Sequence, residues 1–187
     1  SISRTDGLIS YSKRIIEQDI EVFGIDRERT CVVPPGVKPF EGAVREVKEE
    51  LGVKPDEKII GIIGRLKPDR GYDVILRAFK QVKDRNAVRA KLVIMGRSSQ
   101  IDKSIKEPVR ELNLENDVIL AGYRIDDYFS VISAFDVFVM MRAGSDGTAR
   151  ALREVMAMGK PAIVSNLGML PELVSDGVNG FVVNPEE

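Results

Sequence analysis

The 187-residue chain balances 28 Lys and Arg against 29 Asp and Glu, a net charge of −1, so no global basic field draws it to nucleic acid or anionic lipid. It contains no histidine, which excludes Ser–His–Asp and Cys–His activation of a nucleophile and any imidazole-ligated metal; its single cysteine, Cys31, excludes an intramolecular disulfide. No apolar run approaches the ~20 residues of a membrane span, and the length fits one domain or one domain with a piece of another.

The first 57 residues read differently from the rest. "DGLIS" (6–10) predicts a strand, residues from about Ser12 to Phe23 a helix, and "TCVVPPGV" (30–37) a second strand broken by Pro34 and Pro35. "FEGAVREVKEELGV" (40–53) predicts a short helix ending at Gly52, and a domain boundary is expected between Pro34 and Phe40.

From Lys58 onward the pattern alternates. Strands are predicted at "KIIGIIG" (58–64), "KLVIMG" (91–96), "VILAG" (118–122), "DVFVMM" (136–141), "PAIVS" (161–165) and "GFVV" (180–183), each bracketed by turn residues. Helix-period segments lie between them. In "GYDVILRAFKQVKDR" the apolar positions Ile75, Ala78, Phe79 and Val82 form a stripe; in "TARALREVMAMG" Ala151, Leu152, Val155 and Met156 do so, with Gly159 as the stop. The mixed-charge "KEPVRELNLEND" reads as a surface helix, and Lys80, Lys83, Arg85, Arg89 and Lys91, lacking interleaved aromatics, as a solvated face. Apolar strands joined by helices make an α/β chain with a Rossmann-like, doubly wound, mostly parallel sheet.

Open sheets of this kind bind ligands outside the carboxyl ends of their strands. Three loops there carry chemistry. In "GRLKPDRG" (64–71), Arg65, Lys67 and Arg70 crowd the start of a helix, where the macrodipole disfavours cations; a bound phosphate resolves the conflict, and a solvated turn at Pro68-Asp69 is the ordinary alternative. In "GRSS" (96–99), Gly96 permits close backbone approach and Arg97, Ser98 and Ser99 offer anion contacts, although Ser99 capping the next helix explains the same residues. Neither G-x-G-x-x-G nor a P-loop occurs, which argues against oxidoreductases and NTPases.

The third loop, "AGSDGT" (143–148), precedes a helix read as starting near Thr148. Asp146 sits before its first turn, and Glu154 lies about 130° from the centre of the apolar stripe, on the flank rather than in the core. Helix capping by Asp146 and a surface pair between Glu154 and Arg150 are the ordinary readings. The flanking Gly144 and Gly147 point instead to a loop held open for a ligand, with both carboxylates accepting hydrogen bonds from hydroxyls such as those of ribose, and the N–H groups of Gly147, Thr148 and Ala149 receiving a phosphate.

The ordered stretches "VVPPGV…F", "GRLKPDRG", "KLVIMG", "VILAGY", "AFDVFVMM" and "SDGTARALREVMAMGKPAIVSNLGMLPELVSDGVNGFVV" resemble the donor-binding half of retaining glycosyltransferase family 4, which has the GT-B fold of two Rossmann-like halves. The resemblance covers nearly the whole chain. It implies that residues 1–36 are the remnant of an N-terminal acceptor domain with the interdomain connector, and that 37–187 are the donor domain, ending before its closing helices.

Arg65 and Arg70 stand where the family holds the donor diphosphate, Arg70 in place of the usual Lys. Asp146 and Glu154 stand at the family's two glutamates, the first near the transferred sugar and the second on the ribose; Gly96, Gly122, Tyr123, Gly147, Thr148 and Ala149 complete the implied binding set. Asp146 is one methylene shorter than the usual Glu, and "GTAR" replaces the usual Gly-aromatic-Gly-aliphatic run.

The implied function is transfer of a hexosyl group from a UDP-, GDP- or ADP-sugar to a saccharide or lipid acceptor held by the other half. Asp146, Arg65 and Arg70 would be the catalytic set, stabilising charge without metal or cofactor, and this chain alone would be inactive. A cytoplasmic protein is expected, without nucleic-acid partners or a transmembrane segment but with room for peripheral membrane contact. A non-catalytic nucleotide-sugar or protein-interaction module of the same fold fits the altered run at 146–150, and a generic α/β interaction domain is a third reading.

Overall fold

The computed structural model describes residues 6–86, 88–143 and 149–186. A two-stranded parallel unit comes first: β1 (Leu8–Ser10), α1 (Lys13–Phe23) and β2 (Thr30–Val32), with Leu8 opposite Thr30. Ser12 starts α1 by accepting from the Ile15 N–H at 3.2 Å, and Gly24, at φ 63°, ends it.

A six-stranded sheet follows, built from β3 (Lys58–Arg65), β4 (Ala90–Arg97), β5 (Val118–Gly122), β6 (Val137–Met140), β7 (Ala162–Ser165) and β8 (Gly180–Val183). Its order is β5-β4-β3-β6-β7-β8 and every pairing is parallel. All six strands lie where the apolar runs predict them. The chain builds outward from β3 to β5, returns to the middle, and builds outward again from β6 to β8, so the order reverses between β3 and β6.

Period-2 side-chain alternation divides the core into two layers. Val93, Met95, Phe138 and Met140 point to one face, where they meet α4 (Tyr128–Ser133), α5 (Arg150–Ala157) and α6 (Leu170–Leu173). Leu92, Ile94, Val139 and Met141 point to the other, against α2 (Tyr72–Asp84) and the turn leading into α3 (Glu107–Glu111). Gly61 on β3 leaves the space that the Phe135 ring fills: a Cβ there would stand 2.2 Å from it.

Three sequence expectations are corrected. Residues 40–47 form no helix, and only a turn at 48–52 is present. The Arg45 N–H is drawn instead to Ser130 Oγ at 3.2 Å, and Phe40 stacks on Phe129 with ring centres 4.2 Å apart, so tertiary contacts override the local pattern. On α2 the buried stripe is Tyr72, Ile75, Leu76 and Phe79, while Ala78 is exposed. α5 buries four successive residues, Leu152 to Val155, rather than a single stripe, because its flank is also covered.

Glu172, at the start of α6, joins the N-terminal unit to the sheet. Its carboxylate accepts from the Ser12 hydroxyl at 2.6 Å, the Arg14 N–H at 2.8 Å and the Lys13 N–H at 3.0 Å, capping α1 from a distant part of the chain. Partial burial pushes its pKa up, but the Ser12 hydroxyl and the two N–H donors outweigh this and hold it below the ordinary 4.5. A depressed carboxyl stabilises the fold fully above its unfolded value and loses that contribution as pH falls through the folded value. Glu172→Gln is expected to cost about 1 kcal/mol at pH 7, a discount for exposure included, and to cost progressively less below pH 4.5. Thermal melts of both proteins across that range check this.

Candidate functional site at the carboxyl ends of the strands

The reversal between β3 and β6 opens a crevice at the carboxyl ends of the strands. Arg65 ends β3 there, exposed, and stands in register beside Arg97 at the end of β4. Gly96 fixes that neighbourhood by packing: at φ 152° its backbone lies so close to β3 that a Cβ would be 1.9 Å from the Gly64 carbonyl oxygen. The loop after β3 folds as a single 3-10 turn, Pro68–Arg70, closed by Gly71 at φ 74°.

Two bonds hold this loop over the crevice. Tyr72 donates its hydroxyl to the Arg65 carbonyl at 3.0 Å, and burial pushes that phenol well above its ordinary range. Arg70 donates to the carbonyl of Ala143, across the switch point in the segment after β6, and lies 3.7 Å from Asp69. Arg65, Arg70 and Arg142 together line a cavity of about 30 Å³ between β3 and β6. The three arginines come from separate positions, Arg65 at the end of β3, Arg70 in the loop after it and Arg142 just beyond β6, around a space about the size of one water. Lys67 is exposed and outside that cavity.

Tyr123, just beyond β5, is 59% exposed, and the Arg97 guanidinium sits 4.5 Å above its ring. Arg97 therefore has a partner of its own, while Ser98 Oγ accepts from the Gln100 N–H at 3.0 Å as a turn residue does. Gly122, at φ 73°, turns the chain out of β5 toward Tyr123.

On α5, Glu154 is 7% exposed, so the flank position expected from helical geometry is nonetheless buried. Tyr128 on α4 covers it and donates to Oε2 at 2.7 Å, while Arg150 one turn earlier donates to Oε1 at 2.8 Å. Burial, then the Glu154 carboxylate, raises the Tyr128 pKa; the hydrogen bond to Glu154 raises that of Arg150. The pair with Arg150 is real, and Tyr128 is the partner that sequence reading missed. A Tyr at the start of a helix two elements upstream carries no spacing signal toward Glu154.

Asp146, Gly147 and Thr148 lie outside the described residues, as does Gly144. α5 begins at Arg150, and Ala149, immediately before it, is buried with φ 37° and ψ 44°. Only glycine adopts that left-handed geometry freely; for an alanine it costs roughly 1–2 kcal/mol. Ala149→Gly is expected to relieve the strain and raise stability by up to about 1 kcal/mol, once the greater freedom of unfolded glycine is subtracted. A denaturant titration showing a higher midpoint at unchanged slope is the expected result.

Residues 44–187 match the family described as Glycosyl transferases group 1. D-inositol 3-phosphate glycosyltransferase of Nocardia farcinica is 28% identical across 100% of this chain and 43% of its own. The glycosyltransferase of Rickettsia africae superposes with a TM-score of 0.84 at 21% identity, covering 97% of this chain and 50% of that one. The Anabaena protein HepE, solved in complex with UDP-glucose, gives 0.79 at 24% identity, covering 98% and 51%. Both structural likenesses concern the fold, and the chain spans about half the length of the curated relatives it matches. The matched segment carries the whole six-stranded sheet and the crevice at its switch point; the chain belongs to the glycosyl transferases group 1 family.

Proposed function

We propose that this chain is the donor-binding part of a retaining glycosyltransferase of family 4, moving a hexosyl group from a nucleotide-diphosphate sugar to an acceptor. The observation that supports the reading is the placement of Arg65, Arg70 and Arg142 around the switch point of the sheet. Guanidinium forks select phosphate, and the HepE structure was solved with UDP-glucose. Relatives named for inositol phosphate and mannosylfructose phosphate fit the same class of reaction.

In this reading Arg65 and Arg70 hold the donor diphosphate and stabilise its charge as the bond to the sugar breaks, with Asp146 near the sugar. Glu154 receives the ribose hydroxyls, exchanging its bond to Arg150, whose side chain is 85% exposed and free to move aside. Tyr123 and Gly122 border the nucleoside. UDP, GDP and ADP are the candidate carriers. Residues 1–36 belong to the acceptor domain and connector, and a saccharide or lipid acceptor would be held by that other domain. No helix among the described residues is long and apolar enough to cross a membrane. A cytoplasmic setting fits the unpaired, exposed Cys31.

A second reading follows from the altered run at 146–150: a binding module that keeps the fold and the anion site but performs no transfer. Titration calorimetry with UDP, GDP and ADP tests the part common to both. Arg65→Ala is expected to weaken the preferred diphosphate ten- to a hundredfold, the loss of one charge-assisted contact of about 1.5–3 kcal/mol. Glu154→Gln, which can still accept from Tyr128, is expected to narrow the affinity difference between the ribonucleotide and its 2′-deoxy analogue. Unchanged affinity in Arg65→Ala removes the anion-site reading; an unchanged ribose preference in Glu154→Gln removes that residue from the ribose.

A further inference from the structure

The two hydrogen bonds that Glu154 accepts are unlike in kind. Arg150 shares α5 with the carboxylate and its side chain is almost wholly in water, so its pull is weak and easily exchanged. Tyr128 is half-buried and reaches Glu154 from another helix, α4. Burial, then the Glu154 carboxylate, keeps its phenol protonated, so it remains a donor at neutral pH.

The terminal torsion of a glutamate is broad, so nothing intrinsic to the side chain fixes the plane of its carboxylate. The bond from Tyr128 fixes it, by tying Oε2 to a second helix. Tyr128 is held in turn by its surroundings. Its ring meets Phe129 edge-on, with centres 5.1 Å apart, and Phe129 stacks on Phe40 at 4.2 Å. Arg45 grips the same end of α4: its N–H donates to Ser130 Oγ at 3.2 Å and its guanidinium to Asp127 at 2.9 Å. Residues 40–45 thus pin the start of α4 from outside the helix, and Tyr128 is its first residue.

A carboxylate offers about four lone-pair positions, and the two partners take one each. A ribose diol needs two of them, presented in one fixed plane. We propose that Tyr128 is a positioning residue of the nucleotide site: its hydroxyl orients the Glu154 carboxylate toward the ribose and so sets a preference for ribonucleotides over 2′-deoxyribonucleotides. This rests on the reading that Glu154 receives the ribose hydroxyls. Arg150 is the partner that leaves when ribose arrives, and Tyr128 is the one that stays.

UDP, GDP and ADP, each beside its 2′-deoxy form, are titrated calorimetrically into wild type, Tyr128→Phe, Arg150→Ala and Glu154→Gln. Wild type is expected to bind the ribose form of at least one carrier more tightly than its deoxy form. Tyr128→Phe, which removes only the hydroxyl, is expected to shrink that preference by about threefold or more, as one lost hydrogen bond does, while the deoxy form binds as it does to wild type. A tyrosine that merely packs would move both affinities together. Arg150→Ala, at an exposed position that folding does not depend on, is expected to keep or widen the preference, and it tests the proposal even if Tyr128→Phe does not fold. A narrower preference in Arg150→Ala overturns the proposal, by making Arg150 the residue that orients the carboxylate. Narrowing in Glu154→Gln with none in Tyr128→Phe, or with both forms weakened equally there, overturns it and leaves the ribose reading standing. No preference in wild type, or none lost in Glu154→Gln, removes the ribose reading and the proposal with it.

Discussion

The reversal of strand order between β3 and β6 is the constraint on which the rest of the molecule depends. All the sheet's strands are parallel, and its central strands bury both faces, so polar chemistry is confined to their ends. Two adjacent strands whose connections leave in opposite directions cannot be bridged by their own loops, and the gap is a binding crevice by topology alone. Arg65 ends the first of these strands and Arg142 follows the second. Arg70 spans the gap through the Ala143 carbonyl, making the crevice walls one bonded unit.

A second layer of control lies in α5. Its apolar residues dock on the sheet, yet its polar flank is buried as well, under Tyr128 and the segment at Pro35. That double burial holds Glu154 by two hydrogen bonds and leaves Arg153 with donors unpaired. The helix starts from a left-handed alanine, a strained geometry at the mouth of the crevice. Packing and charge therefore meet on the eight residues Arg150–Ala157, and strain on Ala149 just before them, where the sheet's switch point opens.

The six strands were legible because β-branched runs bracketed by turn residues admit few other structures. The place of the crevice was legible too, since an open parallel sheet leaves its binding loops at the carboxyl ends of the strands. There "GRLKPDRG" sets cations at a helix start that the macrodipole disfavours. What could not be read depends on distant contacts. The segment at 40–47 has a plausible helical pattern, but Phe40 and Arg45 find partners on α4, some 85 residues away. Glu154 has a flank position by helical geometry, and only α4 packing turns it into a buried carboxylate. Arg153, adjacent to a glutamate, has the sequence signature of a surface charge; Pro35, whose carbonyl it bonds, is 118 residues distant.

The central claim is that a nucleotide diphosphate occupies the switch-point crevice. An NMR titration of the isotopically labelled chain with UDP tests it most directly, because it reports location independently of any substitution. With UDP in the crevice, amide shifts are expected to concentrate in the Arg65–Gly71 loop, at Arg142 and Ala143, around Gly122 and Tyr123, and at the start of α5. Shifts confined to the outer edges of the sheet, or to β1 and β2, would contradict it.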